Sequence, residues 1–129
     1  MELNINTKVV LSDEDIANIL VTAFEGGINY WCKKVKMMKT TVSDDVWDRE
    51  EKIIASDFIG LGGKLRLYDA EEPSDENWIL DAEKLKKGLE MYFSDCGENS
   101  EVSFDAGNID AGDADSIIQY ALFGELVYG

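Results

Sequence analysis

The hydrophobic period of this chain changes at Ser12. Before it, Leu3, Ile5, Val9 and Leu11 share one face and Glu2, Asn4, Asn6 and Lys8 the other. That period of two describes a half-buried strand. After it, Ile16, Ile19, Leu20, Ala23 and Phe24 follow at spacings of three and four, the stripe of an amphipathic helix. The junction, Ser12-Asp13-Glu14-Asp15, is a helix start. Ser12 caps, Asp15 stands at the capping-box position, and the acids suit the positive end of the helix dipole.

The rest of the chain extends the mixture. Gly26-Gly27 interrupts the first helix, and Ile28, Trp31, Cys32, Val35 and Met38 resume a helical spacing. Tyr30 and Trp31 equally suit a short extended stretch; the pattern favours a second, kinked helical segment, because paired glycines weaken a helix without forbidding it. Lys33, Lys34, Lys36 and Lys39 would form its polar side. Val46, Trp47, Glu50, Ile53, Ile54 and Phe58 suggest a further helix that closes near Gly60–Gly63. Lys64–Tyr68 and Trp78–Leu80 read as a hairpin around an acidic loop with Pro73. Asp81 caps a helix striped by Ala82, Leu85, Leu89, Tyr92 and Phe93. Cys96–Asn108 reads as a polar connection, with a short strand at Val102–Phe104. Ala111–Phe123 is the last helix, burying Ala114, Ile117, Ile118, Ala121 and Leu122. The expectation is one α+β domain over residues 1–129. Its small antiparallel sheet would hold the N-terminal strand and a hairpin near 64–80, packed by about four helices.

The charge is one-sided. Lysine and arginine total 12 against 27 acids, for a net charge of −15. Beyond Lys87 there are nine acids and no base. Such a field repels nucleic acid and membrane surfaces and favours basic partners or cations. With 45% apolar residues, disorder is not expected. No apolar run approaches a membrane span, and Met1–Leu11 lacks the pattern of a signal peptide. A cytoplasmic setting is expected. Cys32 and Cys96 are expected to be free thiols in such a reducing compartment.

Catalytic motifs are scarce. The chain has no histidine, which removes Ser-His-Asp and Cys-His catalysis. Gly60-Leu61-Gly62-Gly63-Lys64 precedes a strand, whereas a phosphate cradle opens a helix. Glu50-Glu51-Lys52 contains a Glu-x-Lys triplet of metal-dependent nucleases, but in an exposed helix pattern. The densest oxygen-ligand cluster is Asp105, Asp110, Asp113 and Asp115. Its spacing does not fit a calcium loop and lacks the closing glutamate. A helix cap with acids in the first turn explains it better. No cofactor and no enzymatic activity are expected.

Two stretches carry a resemblance: Asp15–Cys32 (DIANILVTAFEGGINYWC) and Gly107–Tyr128 (GNIDAGDADSIIQYALFGELVY). Gly62–Ala70 (GGKLRLYDA) is a weaker third. They resemble small acidic, uncharacterised proteins encoded by phages, prophages and mobile elements of Gram-positive and gut bacteria. The resemblance implies a mobile-element origin and the cytoplasm of a bacterial host, and carries no activity or site residue. The function expected is a non-enzymatic, acidic protein-binding module. The partner-binding candidates are Glu98, Glu101, Asp105, Asp110, Asp113 and Asp115. The alternatives are a nucleic-acid-mimic inhibitor of a host DNA-binding or defence protein, a small metal or ligand binder at the four aspartates, and a self-associating component.

Overall fold

The computed structural model describes residues 1–5, 8–48, 53–71, 74–95 and 109–129. The fold is α+β, with two small antiparallel sheets.

The N-terminal alternation folds as a hairpin of its own. Strands β1 (Glu2–Asn4) and β2 (Lys8–Val10) pair with Leu3 opposite Val9. The expected face is right: Leu3 and Leu11 are buried while Val10 is 69% exposed. The expected sheet is not. These strands do not join the later hairpin, because a reversal between them lets each satisfy the other's backbone groups. Met1 and Leu11 clasp the open end, each donating N–H to the other's carbonyl at 2.6 Å. The Asn4 N–H reaches Glu90 Oε2 at 2.6 Å, which ties the hairpin to a later helix.

Helix α1 (Asp13–Thr22) starts as expected, with Ser12 and Asp15 forming a reciprocal capping box. Ile16, Ile19 and Leu20 are its buried stripe. The helix then widens into a π-turn over Ala23–Gly27. A Cβ on Gly27 would lie 2.7 Å from the Ala111 carbonyl, so this glycine permits backbone-to-backbone packing.

The kinked helix expected after the glycines is a strand, β3 (Cys32–Met37). Helical spacing of Val35 and Met38 was a coincidence of mixed apolar positions. What decides is alternation: Lys34 and Lys36 are exposed while Val35 and Met37 are half-buried. A bulge between Cys32 and Lys34 accommodates the adjacent Lys33. β3 pairs with β4 (Leu65–Asp69), which pairs with β5 (Asn77–Leu80), in the order β3-β4-β5. Leu65 and Leu67 face the core; Lys34, opposite Tyr68, sits 5.7 Å from its ring centroid.

The helix expected over Val46–Phe58 is two single turns, α2 (Asp44–Trp47), capped by Ser43, and α3 (Ala55–Phe58). Ile54 is extended, with φ −112° and ψ 158°. Adjacent Ile53 and Ile54 therefore part company, one buried and one exposed. The Gly60–Gly63 stretch is the expected turn into β4, with Gly62 at φ +89°.

Two long helices complete the fold. Asp81 caps α4 (Ala82–Asp95), accepting from the Lys84 N–H at 2.9 Å. Helix α5 (Ala111–Phe123) has the expected bounds and buries Ala114, Ile117, Ile118 and Ala121; Leu122 is half-buried. The two pack against each other at Gly88. There a Cβ would meet the Ile117 carbonyl at 2.6 Å and the Ala121 N at 2.7 Å. Cys96, Pro73, the Glu50-Glu51-Lys52 triplet and the Val102–Phe104 expectation lie outside the described residues.

Candidate functional site

The three aspartates of α5 that fall within the described residues each have an internal task. Asp110 caps the helix, accepting from the Asp113 N–H at 2.8 Å. Asp113 returns a bond to the Asp110 N–H at 3.2 Å and also accepts from the Tyr92 hydroxyl on α4. The capping box thus joins the two long helices as well as starting one of them.

Asp115 lies two residues further on and makes a different set of contacts. Its Oδ2 accepts from the Tyr30 hydroxyl at 2.6 Å. Its Oδ1 accepts from the Trp31 indole N–H at 2.7 Å and from the Gln119 amide at 2.9 Å. Three donors on one carboxylate make short charge-assisted bonds and leave little room for a cation. Among the described residues, no group of three Asp, Glu, Cys or His side chains is arranged to hold a metal ion. Glu98, Glu101 and Asp105 lie outside the described residues.

Gln119 is the centre of this cluster and is 1% exposed. Its Oε1 accepts from the Val127 and Tyr128 N–H groups at 2.7 and 2.8 Å. Its Nε2 donates to Asp115 and, at 3.2 Å, to the Tyr128 carbonyl. A buried primary amide has two acceptor sites and two donors, and here all find partners. The C-terminal tail is therefore fastened to α5 by one side chain. Gly124, left-handed at φ 72°, ends the helix so that the tail can turn back.

Aromatic packing secures the same tail. The Tyr128 ring stacks on Trp31 at 5.1 Å with an interplanar angle of 2°. Trp78 and Phe123 close around them, 5.1 Å apart and edge-on. What remains at the surface is Tyr30 at 55% exposure, Leu126 at 52% and Val127 at 53%. Beneath these exposed groups, Gln119 holds the Val127 and Tyr128 backbone and Asp115 holds the Tyr30 hydroxyl.

The electrostatics follow from this packing. Tyr30 is pushed up to about 12, by desolvation first and then by the Asp115 hydrogen bond and charge. Burial also raises the Tyr128 hydroxyl, with Asp69, Glu76 and Glu71 adding to the shift. Cys32 is a free, buried thiol, and burial raises its pKa, so it is a poor nucleophile.

Sequence reasoning named Asp110, Asp113 and Asp115 and missed Gln119. A signal was present: Gln119 stands four residues after Asp115, inside an otherwise apolar helical stripe. A polar residue there must find buried partners. Most aromatics were expected in the core; among the described residues Trp31 and Phe58 are buried, Tyr30 is exposed and the others are half-buried. Among the described residues, no helix is long and apolar enough to cross a membrane. Comparison of the chain with protein-family models, curated proteins and solved structures finds no match.

Proposed function

We propose that this chain is a non-enzymatic, acidic protein-binding module of a phage or mobile element, acting in the cytoplasm of a bacterial host. The observation that carries the reading is the exposed Tyr30, Leu126 and Val127 set, fixed from beneath by Gln119 and Asp115. Tyrosine is enriched among the residues that anchor interfaces. Prior ordering lowers the entropy lost on binding. Glu125 beside it is exposed, and the net charge of −15 selects a basic partner surface.

Many acids serve helix starts. Asp13, Glu14 and Asp15 stand at α1, Asp44 and Asp45 at α2, Asp81 at α4, and Asp110 and Asp113 at α5. They occupy separate places in the chain for a local reason, dipole and cap stabilisation. The reading therefore rests on the apolar anchor with charge as its selector, and not on imitation of duplex DNA.

The test is affinity capture from a Gram-positive bacterial lysate with the wild-type chain and with Leu126→Asp/Val127→Asp. The expected result is a basic protein, identified by mass spectrometry, retained by the first and lost by the second. Equal capture by both chains would sink the reading.

A further inference from the structure

We infer that a groove between α1, α3 and the start of α4 receives a basic amphipathic segment of a partner protein. Two open cavities, of about 440 and 490 Å³, adjoin at Asp13 and Gly60, which line both. Ala17, Val21, Ile54 and Leu61 give the first an apolar lining, and Ile16 and Ile59 do so for the second. Ile54 is 48% exposed, an isoleucine left facing solvent beside this lining. The same walls carry five carboxylates, Asp13, Glu14, Asp57, Glu2 and Glu83, against two ammonium groups, that of Lys86 and the amino group of Met1, which donates to the Leu11 carbonyl; Glu83 also pairs with Lys87 at 3.9 Å.

An apolar floor bordered by carboxylates matches a segment with one apolar face and flanking lysines or arginines. Such segments dock by placing apolar side chains in the groove and charges on its borders. A second copy offers no such segment at its densest basic cluster. The chain's densest basic cluster, Lys33 to Lys39, spans β3, and the strand's apolar residues Val35 and Met37 already pack against its own core. They are not free to enter a groove. Gly60 stands where the two cavities adjoin. A Cβ there would meet only the Asp13 side chain, at 3.4–3.5 Å, an ordinary contact. A larger side chain at this position would therefore intrude on the groove where the two cavities adjoin without changing any charge.

This surface uses none of the residues of the Tyr30–Val127 patch, so it extends the functional reading and does not depend on it.

The experiment is fluorescence anisotropy with a labelled synthetic helical peptide of leucine and lysine at amphipathic spacing, beside a scrambled peptide of the same composition. The patterned peptide is expected to bind one-to-one and more tightly than the scramble. Gly60→Leu is expected to weaken it by about tenfold or more. Asp13→Asn/Asp57→Asn is expected to weaken it by roughly tenfold, since each exposed pair contributes modestly. Asp44→Asn/Asp45→Asn, which removes the same charge from α2, and Leu126→Asp/Val127→Asp are expected to leave it unchanged. Circular dichroism verifies the fold of each variant. The inference is overturned if the two peptides bind alike, if both asparagine pairs weaken binding equally, or if the chain dimerises and Gly60→Leu dissolves the dimer.

Discussion

Gln119 and Tyr128 exchange two hydrogen bonds, side chain to backbone. Oε1 accepts from the Tyr128 N–H at 2.8 Å and Nε2 donates to its carbonyl at 3.2 Å. One amide thus does for the tail what a neighbouring strand would do. Gln119→Leu keeps the volume and removes both bonds, as well as the acceptor for Val127. The expected loss is about 1–3 kcal/mol in denaturant unfolding, the range for leaving buried partners unsatisfied. Tyr128 should leave the Trp31 stack as well, changing tryptophan emission before global unfolding. An unchanged midpoint with unchanged emission would show that aromatic packing alone holds the tail.

Asp115 makes stability depend on pH through Tyr30. The folded-state pKa, about 12, lies above the ordinary value of 10.0. Between these values the unfolded chain binds fewer protons, so the stabilisation is complete below about 10 and declines as pH rises through the folded value. Asp115→Asn removes the charge and the charge-assisted bond, and should bring the tyrosinate absorbance transition of Tyr30 down. Tyr30→Phe identifies that transition against Tyr128, which is also raised. At neutral pH, Asp115→Asn should cost about 1.5–3 kcal/mol, the value of bonds to a charged acceptor. If its tyrosine titration overlays the wild type, desolvation accounts for the whole shift.

The legible parts of this chain were those in which a local signal and the packing agreed. Ser12 with Asp15, and Asp110 before an apolar stripe, fixed two helix starts because a cap acts within four residues. The segment after Gly27 was misread because Val35 and Met38 satisfy a helical spacing while Lys34 and Lys36 satisfy a strand. Pairing with β4 decides between them, and that partner lies about thirty residues away, beyond the reach of local periodicity. The same holds for the site. The aspartates were visible as a cluster, but their roles depend on Tyr92, Tyr30 and Trp31, which only tertiary packing brings near.

Asp110 and Asp113 give a test of structural against metal-binding acids. Asp110→Ala removes the cap and should cost about 0.5–2 kcal/mol, read as a fall in melting temperature. Millimolar calcium should leave the wild-type melting temperature unchanged, because the Asp113 and Asp115 carboxylates already accept from Tyr92, Tyr30 and Trp31. A calcium-dependent rise that Asp110→Ala abolishes would instead make this helix start an ion site.

Gly88→Ala sets two effects against each other. In the middle of α4, alanine is favoured over glycine by about 1 kcal/mol on helix propensity alone. The added Cβ, however, would approach the Ile117 carbonyl to 2.6 Å and the Ala121 N to 2.7 Å. Both are backbone atoms of α5, so relief requires moving one helix away from the other, and overpacking of this kind costs about 1–3 kcal/mol. The clash should win, and the variant should unfold at lower denaturant than the wild type. Ala121→Gly should not rescue it, because the nearest obstacles are backbone atoms and not the Ala121 methyl group. The retreat of α5 should also loosen the Tyr92–Asp113 bond between the helices, seen as faster amide exchange at the start of α5. A variant as stable as the wild type would mean that the two helices pack less closely in solution than these distances require.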